Sequence, residues 1–127
     1  MSDSMSASRK TIIVVDDEPD IVFALTLMLG DAGYHMVAVG QADDLMQHLH
    51  SAQAPDLILL DMLLAGHDGR EIVRDLKANP STRSIPVLMI SAHPRASQEA
   101  ADAGADGFLA KPFELDTLVA KVAALLR

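Results

Sequence analysis

The chain has 127 residues, half of them apolar, with no cysteine and a formal net charge of −8. That length fits one domain with enough apolar residues for its own core, and the missing cysteines exclude disulfides and thiolate metal clusters. The acidic balance speaks against direct DNA or RNA contact, which needs clustered Lys and Arg, and no apolar run is long enough to cross a bilayer.

Residues 1–10 read as a flexible arm: Ser2 to Ser8 is small and polar, without the apolar stretch of a signal peptide. The domain proper spans residues 11–127. Its first strand-like run is Thr11–Asp16, whose Ile12-Ile13-Val14-Val15 suits a parallel strand buried on both faces. Asp17 can cap a first helix with Pro19 in its first turn, Ile21, Leu25, Met28 and Leu29 at helical spacing, and Gly33 as a left-handed stop. Strand His35–Val39 and helix Gln41–Ala52 follow, then strand Leu57–Asp61 and helix Gly69–Asn79. Strand Val87–Ser91, helix Pro94–Ala103, strand Gly107–Ala110 and helix Leu115–Leu126 complete the chain. In the last helix Leu115, Leu118, Val119, Val122 and Leu126 make one apolar stripe. Strict strand–helix alternation with short connections predicts an α/β fold, a doubly wound parallel sheet of five strands and five helices. Ligands of such sheets bind beyond the carboxyl ends of the strands, where the strand order reverses.

The strand ends carry the chemistry. The first ends in Asp16-Asp17, the third in Asp61, the fourth in Ser91, and Lys111-Pro112 closely follows the fifth. Parallel neighbours lie about 5 Å apart, so these carboxylates converge and repel unless protons or a cation join them. A hard divalent ion such as Mg²⁺ takes oxygen ligands, and Lys111 adds a fixed positive charge. The pattern points to metal-assisted phosphoryl transfer: Asp61 as nucleophile forming an acyl phosphate, Lys111 neutralising charge, and Ser91 donating its hydroxyl to the phosphoryl group.

With VVDDEPD at 14–20, LILLDMLLAGHDG at 57–69, SA at 91–92 and GADGFLAKPF at 104–113, the chain resembles response-regulator receiver domains of two-component signalling, the CheY type included. The resemblance runs from Thr11 to Arg127. It implies a flavodoxin-like strand order 2-1-3-4-5, and Mg²⁺ held by Asp17 and Asp61, by Asp16 through water and by the backbone carbonyl of Leu63. It implies Asp61 as phosphoacceptor, Ser91 and Phe108 as switch residues, Lys111 as the pattern's lysine and a cis Lys111–Pro112 bond. By the same resemblance, phosphorylation draws in the Ser91 hydroxyl and turns Phe108 inward, which reshapes the helix 4–strand 5–helix 5 face. Implied partners are a sensor histidine kinase or histidine phosphotransfer protein and a downstream protein target or output domain, in the cytoplasm. Nucleic acid and membrane are not expected partners. Such a domain promotes its own phosphorylation and dephosphorylation but turns over no substrate. It could stand alone or be part of a larger regulator or hybrid kinase.

Several features depart from that pattern or stand beside it. The usual Met-Pro after the phosphoacceptor is Leu64-Ala65, which points to a differently shaped or more mobile loop. Gly107 replaces the Asp of OmpR-type dimerising regulators, with Lys121 near their interface Arg, so a monomer or a weak phosphorylation-dependent dimer is expected. His93, two past Ser91, is either a modulator of acyl-phosphate lifetime together with Leu63 or a solvated loop residue. His48 and His50 face different ways on their helix, and His67 lies in a loop. Asp16 and Asp17 could merely cap a helix, Ser91 begin a loop, and Phe108 fill core. A haloacid-dehalogenase-type phosphatase also uses a strand-end Asp, but with its second acid two residues on; here the first-strand acids are adjacent. A pseudo-receiver would lack part of the acidic set, which is complete here.

Overall fold

In the computed structural model, which describes residues 9–51, 54–64, 67–93 and 95–126, five parallel strands form one sheet. They are β1 (Thr11–Val15), β2 (His35–Val39), β3 (Leu57–Asp61), β4 (Val87–Ser91) and β5 (Gly107–Ala110), in the order β2-β1-β3-β4-β5. This is the order that the resemblance implied. The helices are α1 (Pro19–Asp31), α2 (Ala42–Ser51), α3 (Gly69–Ala78), α4 (Ala96–Ala103) and α5 (Leu115–Leu125). Most of the expected N-terminal arm, Ala52, Ala65 and Pro94 lie outside the described residues.

Alternation along the strands builds two cores, one on each face of the sheet. Ile13, Val15, Ile58, Leu60, Val87 and Met89 point toward Leu45 of α2, Ile72, Val73 and Leu76 of α3 and the small residues Ala96, Ala100 and Ala103 of α4. Ile12, Val14, Leu57, Leu59, Leu88, Ile90 and Leu109 point the other way, toward Leu25 and Leu29 of α1 and Leu118 and Val122 of α5. Each fully buried Leu or Ile contributes about 1.5–3 kcal/mol relative to exposure. The runs Ile12–Val15 and Leu57–Leu60 are therefore apolar at every position because both faces are covered.

Local chemistry corrects three expectations. β1 stops at Val15, and the Asp16 amide makes only one longer bond to the Val39 carbonyl, 3.4 Å. Asp17 does not cap α1: the helix opens at Pro19, Glu18 is the capping residue without a side-chain bond, and Asp16 Oδ1 accepts the Glu18 amide at 2.8 Å. The turn thus folds Asp16 inward over the chain and leaves Asp17 outside. Leu115 is 48% exposed, so the stripe of α5 that reaches the sheet begins at Leu118. Gly33 does follow α1 in the left-handed region, at φ 107°, with Tyr34 donating back to the Leu29 carbonyl.

At the amino ends of β4 and β5, Asp106 Oδ2 accepts both the Val87 amide and the Lys77 ammonium, each at 2.8 Å. Lys77 also donates to the Ile85 carbonyl at 2.8 Å, tying the end of α3 to this edge.

Candidate functional site

The chain leaves β1 for the sheet edge at β2 and returns across it to β3, so the strand order reverses between β1 and β3. The carboxyl ends of those two strands carry Asp16 and Asp61. Both are buried, with 2% and 6% exposure. Lys111 enters from beyond β5: its amide donates to the Ser91 carbonyl at 2.9 Å, and its bond to Pro112 is cis. Its ammonium lies 3.6 Å from Asp16 Oδ2, 3.7 Å from Asp61 Oδ1 and 3.3 Å from Glu18 Oε1. Oxygens of Asp16, Glu18 and Asp61 lie within 4.8 Å of one another, a group able to hold a metal ion.

One ammonium does not balance three carboxylates. Burial pushes Asp61 up from 3.8 to about 6, the Asp16 charge adds to the rise, and Lys111 and the Leu63 amide only partly offset it. Asp16 is raised as well, again chiefly by burial. For Lys111, burial works against the ammonium, but the charges of Asp61, Asp16 and Glu18 outweigh it and hold it above its usual value. Asp16 Oδ2 is buried and has no hydrogen-bond donor. An orphaned carboxylate oxygen in an all-oxygen cluster is what a hard divalent cation satisfies, so the residues present fit Mg²⁺.

The backbone after Asp61 is held closely. The Leu63 amide faces Asp61 Oδ1 at 3.5 Å, and Leu63–Leu64 pairs with His67–Asp68 in a short antiparallel ladder. Gly69 donates its amide to the Met62 carbonyl at 2.7 Å, and a Cβ on Gly69 would stand 2.7 Å from the Asp61 carbonyl oxygen and 2.9 Å from Met62 Cα. Only glycine lets α3 start this close to the reactive strand end. Gly69→Ala is expected to lower unfolding stability by about 1–3 kcal/mol, because backbone cannot yield as a side chain would. A denaturant midpoint equal to wild type at unchanged slope would refute this.

The other sequence-predicted residues distribute as follows. Ser91 is buried at the end of β4, and its hydroxyl oxygen accepts the His93 amide at 3.0 Å, leaving its proton free to be donated elsewhere. His93 is exposed, and its Nδ1 accepts the Arg95 amide at 3.1 Å, which is the behaviour of a loop residue. Phe108 is half-buried against the α2–α3–α4 core, and Leu63 is 66% exposed. Asp17 is not in the carboxylate group; it lines an open cleft of about 620 Å³ with Val22, Phe23, Val39 and Asp44. Sequence reasoning missed Glu18, which reads as an ordinary first-turn acid. It also missed Arg70, whose guanidinium bridges Asp68 and Glu99.

Comparison with known proteins agrees with this geometry. A family model described as the response regulator receiver domain matches residues 12–123. The chain is 37% identical over 123 residues to the phosphate regulon transcriptional regulatory protein PhoB of Pseudomonas aeruginosa, covering 93% of this chain and 52% of that one. It is 33% identical over 125 residues to the DNA-binding response regulator MtrA of Mycolicibacterium smegmatis, covering 97% and 53%. The chain thus spans about half the length of these curated relatives. Among solved structures it is similar to the chemotaxis response regulator CheY4 of Vibrio cholerae, with TM-score 0.85, 26% identity and coverage of 94% and 100%. The receiver domain of a signal transduction histidine kinase from Syntrophus aciditrophicus gives TM-score 0.84 and 32% identity, covering 92% and 89%. Fold, site and relatives converge, and the chain belongs to the response regulator receiver domain family.

Proposed function

We propose that the chain is a phosphorylation-activated switch that accepts a phosphoryl group on Asp61, from a histidine kinase or histidine phosphotransfer protein in the cytoplasm. The observation that supports this most directly is the buried Asp61 carboxylate at the end of β3, facing the Lys111 ammonium at 3.7 Å beside Asp16 and Glu18. An ionised Asp61 oxygen attacks phosphorus, and the bond from phosphorus to the donor breaks with its electron pair going to the donor. Lys111 neutralises charge on the transferring oxygens, and the Ser91 hydroxyl and Leu63 amide are assigned to bond the group once attached. Mg²⁺ would be held by Asp16, Asp61, Asp17 and the Leu63 carbonyl, with Glu18 as a further acid within reach, and would supply charge neutralisation at the phosphoryl oxygens. No enzyme turnover is assigned: receiver domains are regulatory phosphoacceptors, and the acyl phosphate is the signal.

Output is proposed to pass through Phe108 and the α4–β5–α5 face as a two-state equilibrium. The family includes DNA-binding regulators, a chemotaxis protein and a kinase-borne receiver. The expectation of no direct nucleic-acid contact therefore concerns these 127 residues; what DNA-binding relatives do rests on proteins about twice as long. No helix among the described residues is long and apolar enough to cross a membrane.

Incubation with acetyl phosphate and Mg²⁺, followed by intact mass, tests the reading. One phosphoryl group is expected on the wild-type chain, and none on Asp61→Asn or after chelation of the metal. A folded wild-type chain that gains no mass would overturn it.

A further inference from the structure

Arg70 is held more tightly than a residue in the first turn of a helix requires. Asp68 caps α3 by accepting the Arg70 amide at 2.9 Å, and the same carboxylate takes Nε of Arg70 at 3.0 Å and Nη2 at 2.6 Å. The remaining arm, Nη1, donates to Glu99 Oε2 at 2.7 Å, 29 residues away on α4. A planar guanidinium can serve two carboxylates in fixed directions; an ammonium cannot. Asp68 is also the ladder partner of Leu63, whose amide faces Asp61 Oδ1. A continuous set of contacts therefore runs from Asp61 through Leu63, Asp68 and Arg70 to α4, separate from Ser91 and Phe108.

Exposure decides what this set can do. The three side chains are 34%, 30% and 38% exposed. Ion pairs that open to water contribute little to global stability. Their effect is local: they fix where a backbone segment stands. That segment carries the amide and carbonyl of Leu63, beside the carboxylate proposed to react.

We propose that Arg70, clamped between Asp68 and Glu99, is a positioning residue that fixes the Leu63 backbone against Asp61 and links it to α4. The role rests on the reading of Asp61 as phosphoacceptor. Loss of the clamp loosens the ladder, so Mg²⁺ binds more weakly and phosphoryl transfer slows, each by about tenfold, as when a supporting partner of a metal ligand is removed. Arg70→Lys keeps the charge without the fork and recovers only a minor part of the loss. Glu99→Gln leaves the Asp68 half of the clamp intact, so Mg²⁺ affinity stays near wild type while the response of α4 to Mg²⁺ is lost.

Three measurements on the full chain test this. Amide hydrogen exchange of the metal-free protein is read at Gly69, with the core amides of Leu59 and Met89 as internal reference. Mg²⁺ affinity is read by NMR titration, including the shifts of α4 amides, and the phosphoryl adduct from acetyl phosphate by mass. Arg70→Ala is expected to accelerate exchange at Gly69 about tenfold with the core unchanged, alongside the weaker Mg²⁺ binding. Unchanged Gly69 exchange and Mg²⁺ affinity within about twofold would overturn the role, since removing a true supporting partner of a metal ligand weakens binding by more than that. Equal acceleration at the core would overturn it too, marking Arg70 as merely structural. A wild-type chain that forms no adduct overturns the reading of Asp61, and this role with it; a normal wild-type adduct combined with an unaffected Arg70→Ala loop overturns this role alone.

Discussion

Replacing Asp61 with Asn is expected to make the metal-free chain more stable at pH 7.5 while abolishing phosphoryl acceptance. The carboxyl of Asp61 is raised from 3.8 to about 6 in the fold. A folded-state value above the unfolded one means that the native state favours the protonated form. The associated stability is fully present below the unfolded value near pH 4 and is lost as pH rises through about 6. Each tenfold change in proton affinity is worth about 1.4 kcal/mol, so the ionised carboxylate costs the fold about 2–3 kcal/mol at neutral pH. Asn keeps the shape without the charge. A gain of that size raises Tm by roughly 10 °C for a chain of this length. The gain shrinks at pH 4.5, where wild-type Asp61 is protonated, and in saturating Mg²⁺, which stabilises the wild type by binding its native state. Melting curves at both pH values, with and without metal, check this. An Asn variant melting at or below wild type at pH 7.5 without metal would contradict the electrostatic account.

Lys111→Met is expected to act in the opposite sense on stability and to separate metal binding from phosphoryl transfer. The ammonium is the common partner of Asp16, Glu18 and Asp61 at 3.3–3.7 Å, and its side chain is only 16% exposed. Removing it leaves three carboxylates without a cation, so Asp61 rises further and the metal-free fold weakens. At pH 8.5, where the carboxylates are ionised, the more negative cluster attracts Mg²⁺ more strongly. Phosphoryl transfer loses a positioned positive group, and a loss of about 10²–10³ in rate is expected, the scale for one preorganised donor. Titration of Mg²⁺ beside the rate of adduct formation from acetyl phosphate separates the two effects. Weaker Mg²⁺ binding together with an unchanged rate would contradict both halves.

The strands were legible because each is a short apolar run covered on both faces, and four of the five boundaries coincide with those read from the sequence. The convergence of Asp16, Asp61 and Lys111 was legible because parallel strands place their carboxyl ends side by side. The capping position of α1 at Glu18 rather than Asp17, and the approach of Glu18 to Lys111, were not legible for one reason. Which of several consecutive acids turns inward depends on a local bond, Asp16 Oδ1 to the Glu18 amide, and on a lysine 93 residues further along. The ladder after Asp61 and the Arg70 clamp escaped notice because no hydrophobic period marks them. They depend on the close approach of Gly69 to Met62 and on a contact between α3 and α4 that exists only once both helices are docked.

The bonds of Asp106 and Lys77 to Val87 and Ile85 give the sheet a mechanical asymmetry. β4 and β5 are anchored where they begin, while Ser91, Ala110 and Lys111 at their other ends meet loops. A load applied at the Asp61 rim is therefore opposed at the far ends of both strands by side-chain bonds to α3, in addition to the ladders that pair β3, β4 and β5 along their length.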